Sequence, residues 1–228
     1  MKPASASIQS ELGSGQSDSD SEYYCPTRQC TAYGELADVY ETRHELLQPV
    51  RNIVLDRVLR GMKKGSTVLE VGCGCGASLA LMNERGFDVV GIDFSPVMAA
   101  SAERLSGCKV KCGDFMTHEF EKQFDLVFAQ AFVHLFPKVS VGAVIGRLLG
   151  LASFRVFFST TLNASSTEGW EPKDGVMRYR SRYTKPELLS MLQDISSTGV
   201  WTVDHFELMD PLNKNWLDVI LTRSCSEL

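Results

Sequence analysis

Beyond about residue 66 the apolar positions of the chain alternate between two rhythms. Short segments at Thr67–Val71, Asp88–Ile92, Lys109–Cys112, Phe124–Ala129 and Arg155–Ser159 predict strands. Between and after them, apolar residues recur at helical spacing over Ala77–Arg85, Pro96–Leu105, Val141–Leu149 and Lys185–Leu192. Two closing strands follow, Trp201–Leu208 and Leu217–Thr222. The boundaries carry their own signals. Gly86 stops one helix, Ser95-Pro96 supplies a cap and a first-turn proline for the next, and Thr184 with Glu187 forms a Thr-x-x-Glu capping box.

Upstream of the first strand, positions from Leu36 through Val39, Tyr40, Leu47, Val50, Val54 and Leu55 to Leu59 are spaced helically, and Pro49 predicts a break into two helices. Residues 1–22 are Ser, Gly and acids with few large apolar groups, which predicts a disordered tail. Residues 23–228 then form a single domain, with 23–64 as an N-terminal helical cap and 163–184 as a polar loop. Strand and helix in alternation with short connections imply an α/β, doubly wound, mostly parallel sheet with helices on both faces. Ligands of such sheets sit beyond the carboxyl ends of the strands, so the loops there are where chemistry is expected.

Those loops have a consistent character. The first strand ends in Glu70 and breaks into Gly72-Cys73-Gly74-Cys75-Gly76, a loop that brings backbone close to a nucleotide-like ligand because side chains would collide with it. The second ends in Asp93-Phe94, placing a carboxylate to accept hydrogen bonds from two ribose hydroxyls. After the third come Asp114 and Phe115, an acceptor for an adenine amino group and a ring to lie against it. Gln130 follows the fourth. Together they describe an adenosine pocket.

On these residues the chain resembles the class I S-adenosylmethionine-dependent methyltransferases over roughly residues 30–222. The strand with a terminal acid and Gly-x-Gly-x-Gly matches at Glu70 to Gly76, the acid of the second strand at Asp93, and the Asp-aromatic pair at Asp114-Phe115. The resemblance implies a seven-stranded sheet with a C-terminal antiparallel strand, S-adenosylmethionine as cofactor, S-adenosylhomocysteine as product, and in-line methyl transfer to an O, N or S nucleophile of a small molecule without a metal. It also implies that Tyr33, Tyr40 or Arg43 closes over the methionine end of the cofactor. A nicotinamide-dependent oxidoreductase is the rival, since Gly72-x-Gly74-x-x-Ala77 satisfies a permissive dinucleotide fingerprint. Glu70 argues against it: a carboxylate there would face a pyrophosphate, whereas it suits an ammonium. A protein or RNA methyltransferase and a catalytically silent cofactor-binding subunit are further alternatives.

His134 follows the fourth strand where it could take a proton from the acceptor or simply pack against the pocket. In 163–184, Trp170, Arg178, Arg180 and Tyr183 are the substrate candidates. If Arg178 to Tyr183 is extended, its arginines share one face and either meet an anionic substrate group or form a solvated surface. Composition narrows the partners. Net charge is −5, of which residues 1–22 carry −3, so the remainder is close to neutral and speaks against nucleic acid. Seven cysteines, an odd number, with no signal-peptide pattern before them predict a reduced, cytoplasmic protein, and no run is long enough to cross a bilayer. Cys73 and Cys75 are read as small neighbours within the loop, not as metal ligands.

Overall fold

The computed structural model describes residues 23–224; the expected tail at 1–22 lies outside them. Seven strands form the main sheet: β1 (Thr67–Val71), β2 (Asp88–Asp93), β3 (Lys109–Cys112), β4 (Phe124–Ala129), β5 (Ala152–Thr161), β8 (Trp201–Met209) and β9 (Asn215–Arg223). Their order is β3-β2-β1-β4-β5-β9-β8. β1 to β5 pair in parallel, while β9 runs antiparallel to both β5 and β8. The expected doubly wound sheet with a C-terminal antiparallel strand is therefore present, and strand order reverses beside β1, where a ligand crevice opens.

Helices cover both faces. Against one lie α3 (His44–Val58), α4 (Ala77–Glu84) and α5 (Pro96–Ser106), which bury Val54, Leu55, Leu79, Met82 and Ala102 with Val68, Phe128, Phe157 and Ile220 of the sheet. Against the other lie α6 (Lys138–Leu151) and α7 (Lys185–Ser197), which bury Val144, Leu148, Leu188 and Leu192 with Leu69, Val127, Val156 and Val219. Successive strand residues thus serve opposite cores, as strands buried on both faces must. The Thr184–Glu187 capping box forms.

Three expectations change. A helix not foreseen, α1 (Pro26–Glu35), precedes α2 (Ala37–Thr42). Pro49 does not break the chain: it lies inside α3, and the interruption falls earlier, at Arg43. The proline forfeits one amide donor near the helix start, and the buried residues further along, Val54, Leu55 and Val58, hold the helix in place. Residues 163–184 are not a loop but mostly a hairpin, β6 (Thr167–Lys173) with β7 (Val176–Arg182). Its turn is Asp174-Gly175, both at positive φ, 51° and 84°, the combination that matches strand twist in a two-residue hairpin.

The hairpin and the cap form the roof over the carboxyl ends of the strands. Gln29 of α1 pairs with the backbone of β7 as a strand would, donating to Tyr179 O at 3.0 Å and accepting from Tyr179 N at 2.8 Å. Arg43 makes a two-pronged ion pair to Asp174 at the hairpin turn, both contacts 3.0 Å.

Candidate active site

The glycine loop is held from two sides. Gly72 and Cys73 donate to Ile92 O of β2 at 2.8 and 3.2 Å, and Gly74 donates to Asp93 Oδ2 at 2.9 Å. The other Asp93 oxygen accepts from Ser95 N at 2.9 Å. Asp93 thus braces the loop before any ligand arrives, yet each oxygen keeps a lone pair. Burial pushes its carboxyl up to about 6, against the pull of the Ser95, Gly74 and Phe94 amides. Gly76 caps α4 at φ 85°, and a Cβ there would lie 2.7 Å from Ala102 Cα. Only glycine lets α4 pass so close to α5.

Glu70, at the end of β1, is 4% exposed and its Oε2 has no hydrogen-bond partner. Burial raises its carboxyl well above the usual range, with Arg51 of α3 opposing the shift and Asp93 adding to it. Arg51 does not pair with it; its guanidinium donates to His44 O at 2.9 Å. A buried carboxylate left this way costs stability unless a cation or donor reaches it.

A cavity of about 450 Å³ lies between the sheet top and the roof. Of the residues expected to hold a cofactor, Tyr33, Tyr40 and Arg43 line the roof and Glu70, Gly72, Cys73, Asp93, Phe94, Asp114, Phe115 and Gln130 line the floor and sides. Gly74 and Gly76 lie just outside the lining and act through backbone shape. Asp114 Oδ1 accepts from Met116 N at 2.8 Å, and Phe115 sits edge-on to Phe132 with centroids 5.8 Å apart. Gln130 Oε1 accepts from Ser78 at 3.2 Å. Cys73 is a thiol kept protonated by burial.

The far end is cationic. Arg178 and Arg180 of β7 are 3% and 7% exposed, and both line the cavity with His134 and Lys214. Arg178 lies 3.3 Å from Tyr40 OH and 3.5 Å from Tyr33 OH, whose rings stack at 6.0 Å. Arg180 donates to Thr161 Oγ1 at 2.6 Å, and its Nε, like that of Arg178, is unpartnered. One carboxylate, Glu171, serves both arginines, at 3.5 and 4.0 Å, and pairs also with Arg182. Burial lowers Lys214 to about 8, with Arg180 adding to the shift. His134, 3.4 Å from Thr160 Oγ1, is driven well below its ordinary value by burial and by the neighbouring Arg180, Arg178 and Lys214, so it is neutral.

Trp170 and Tyr183 are not among the lining residues. Trp170 faces α1, donating to Tyr23 O at 3.0 Å beneath the Arg28 guanidinium, and Tyr183 is buried under Lys138. Neighbouring β7 residues point oppositely, which turns the arginines inward. Sequence reasoning missed Arg51, Lys214 and Asp218. Arg51 sat in view on the helical pattern opposite the acid of β1. Lys214 and Asp218 depend on the register of β9, which no local signal specifies. Among the described residues no cluster of three or more His, Cys, Asp or Glu could hold a metal ion, and no helix is long and apolar enough to cross a membrane.

A family profile described as "Methyltransferase domain" matches residues 68–151, the stretch from β1 through the cavity floor to α6. Over that stretch the chain is similar to a methyltransferase domain, and its strand order is that of a Rossmann-like fold. The DhpI-SAM-HEP complex superimposes with a TM-score of 0.67 at 17% identity, covering 86% of this chain and 96% of that one. The Burkholderia thailandensis 1,6-didemethyltoxoflavin-N1-methyltransferase, with bound 1,6-didemethyltoxoflavin and S-adenosylhomocysteine, gives 0.63 at 17% identity, covering 90% and 93%. Magnesium protoporphyrin IX methyltransferase (ChlM) from Synechocystis PCC 6803 with bound SAM gives 0.57 at 17% identity, covering 93% and 87%. At these identities the likeness is one of fold. Among curated proteins no match was found.

Proposed function

We propose that this protein is an S-adenosylmethionine-dependent methyltransferase acting on a small molecule that carries an anionic group. The observation that carries the reading is Glu70: a fully buried carboxylate with a free oxygen, beside a glycine loop, on a ligand cavity. It suits an ammonium and would repel a pyrophosphate. The residues present fit the cofactor. Glu70 and the loop would hold its amino-acid end, Asp93 its ribose hydroxyls, Asp114 and Phe115 its adenine, and Tyr33, Tyr40 and Arg43 would cover it. Once bound, the cofactor supplies an electrophilic sulfonium methyl that needs no metal activation.

What the chain's own residues contribute is orientation and exclusion of water. The cap and hairpin, tied by Gln29–Tyr179 and Arg43–Asp174, roof part of the cavity. Arg178, Arg180 and Lys214 would anchor the acceptor's anion, with the arginine forks suited to carboxylate or phosphate oxygens. His134 is neutral and can accept a hydrogen bond from the acceptor; the three cations beside it oppose the charged form that full proton transfer would leave. A roofed cavity of about 450 Å³ suits a small acceptor. The six described cysteines, all free thiols, fit the cytoplasmic setting expected from the sequence.

Incubation with methyl-labelled cofactor and a metabolite extract, followed by mass spectrometry, tests the reading. Label is expected in a small anionic product, and the transfer is expected to weaken when Arg180 is replaced by Gln. Cofactor binding with no label transfer would favour a silent subunit instead, and label in protein or RNA would overturn the small-molecule assignment.

A further inference from the structure

A second buried carboxylate faces the same cavity and has no part in the scheme above. Asp218 of β9 is 2% exposed and lines the cavity, yet its Oδ2 has no hydrogen-bond partner. Among the described residues no cation pairs with it. Arg57, whose charge opposes the effect of burial on it, is turned onto the Phe206 ring at 4.2 Å.

Register places this group level with the glycine loop and the end of β4. Ala129 pairs with Phe158, so the next residue, Gln130, stands level with Ser159, and Ser159 pairs with Asp218. Glu70 pairs with Phe128, which brings Gly72 level with Gln130 in turn. Gly72, Gln130, Ser159 and Asp218 therefore form one row across the sheet top. The glycine loop occupies one end, Ser159 is engaged by Ala131 N at 2.8 Å, and Asp218 is the free polar group at the other. It is on the strand whose preceding residue run brings Lys214 to the cavity.

The two candidate proton acceptors differ in electrostatics. His134 would become a cation among Arg178, Arg180 and Lys214. Asp218 would become neutral in an apolar wall with Val54 and Leu208 nearby on the lining, a change that burial favours. A carboxylate buried without a partner costs folding free energy, so the fold retains it at a loss unless a ligand uses it.

We propose that Asp218 binds the O–H or N–H group of the methyl acceptor and takes its proton, so that the cavity selects small anions bearing such a donor. This rests on the methyltransferase reading. As the acceptor atom bonds to the methyl carbon, the carbon–sulfur bond breaks with its electron pair left on sulfur. The acceptor's proton passes to the Asp218 carboxylate and from there to solvent once the product leaves.

The test compares wild type with Asp218→Asn, each saturated with S-adenosylhomocysteine, by titration with paired probes: para-hydroxybenzoate against benzoate, and aminomethylphosphonate against methylphosphonate. The wild type is expected to prefer the donor-bearing member of a pair by about tenfold or more. Asp218→Asn should lose that preference while keeping its affinity for S-adenosylhomocysteine, and should melt at the same temperature or about 2–4 °C higher. A merely structural aspartate would lower the melting temperature when replaced. The proposal is overturned if the preference persists in the variant, if the wild type shows none, or if the variant melts lower. If S-adenosylhomocysteine does not bind at all, the methyltransferase reading fails separately, and the probe pairs titrated without it still decide the role of Asp218.

Discussion

Replacing Gly76 by Ala asks whether the glycine loop is shaped by packing as the geometry requires. At φ 85° an L side chain is strained, and the new Cβ would meet Ala102 Cα at 2.7 Å and Ala102 O at 2.9 Å, both backbone atoms of α5. The left-handed conformation costs about 1–2 kcal/mol, and pushing two packed helices apart adds about 1–3 kcal/mol. The sum, about 2–5 kcal/mol, lowers the melting temperature by roughly 4–20 °C for a chain of this size. Gly74 is the internal control. It also has positive φ, 54°, but a Cβ there would meet nothing within 4 Å, so Gly74→Ala should cost only the conformational part, about 1–2 kcal/mol. Thermal melts of both variants, repeated in urea, give the comparison. If Gly76→Ala melts within about 2 °C of Gly74→Ala, the close approach of α4 and α5 does not constrain the loop and the argument fails.

Three further outcomes follow from the buried charges and the caps. Glu70→Gln should weaken S-adenosylhomocysteine binding by about tenfold to a hundredfold, the worth of a charged hydrogen bond, without lowering the melting temperature of the free protein; calorimetry and a melt read both, and unchanged affinity would remove Glu70 from the cofactor site. In the absence of ligand, the contribution of Asp218 to stability should fall as pH rises. Asp218 is raised by burial from 3.8 to about 7, so the folded state holds a proton that the unfolded chain releases; its contribution is full below about 4 and is lost on passing through about 7. Asp218→Asn should flatten that slope, and an unchanged slope would count against the shift. Thr184→Ala removes half of the capping box on α7 and should cost about 1 kcal/mol, seen as a lower urea midpoint with an unchanged slope.

Much of the fold was written locally. Thr67–Val71 and Phe124–Ala129 appear with the bounds their apolar runs predict, because a strand buried on both faces leaves little room for polar residues. What failed locally was decided by tertiary contact. The segment of α1 buries only Gln29 and Ala32, too little apolar surface to mark a helix, and it is held by Gln29 pairing with β7. The hairpin did carry a signal, Lys173-Asp174-Gly175-Val176, but Arg178 and Arg180 look like solvent residues until the cap is laid over them. The floor of the site was legible because Glu70, Asp93 and Asp114 stand at strand tips set by their own strands. Asp218 and Lys214 were not, since an antiparallel final strand carries them back to the site from far along the chain.

The central claim is that the cavity takes S-adenosylmethionine, and calorimetric titration with S-adenosylhomocysteine, with reduced nicotinamide cofactor as the comparison ligand, tests it most directly. The account predicts one-to-one binding of S-adenosylhomocysteine that weakens in Glu70→Gln, and no heat from the nicotinamide. Binding of the nicotinamide with none of S-adenosylhomocysteine would contradict it.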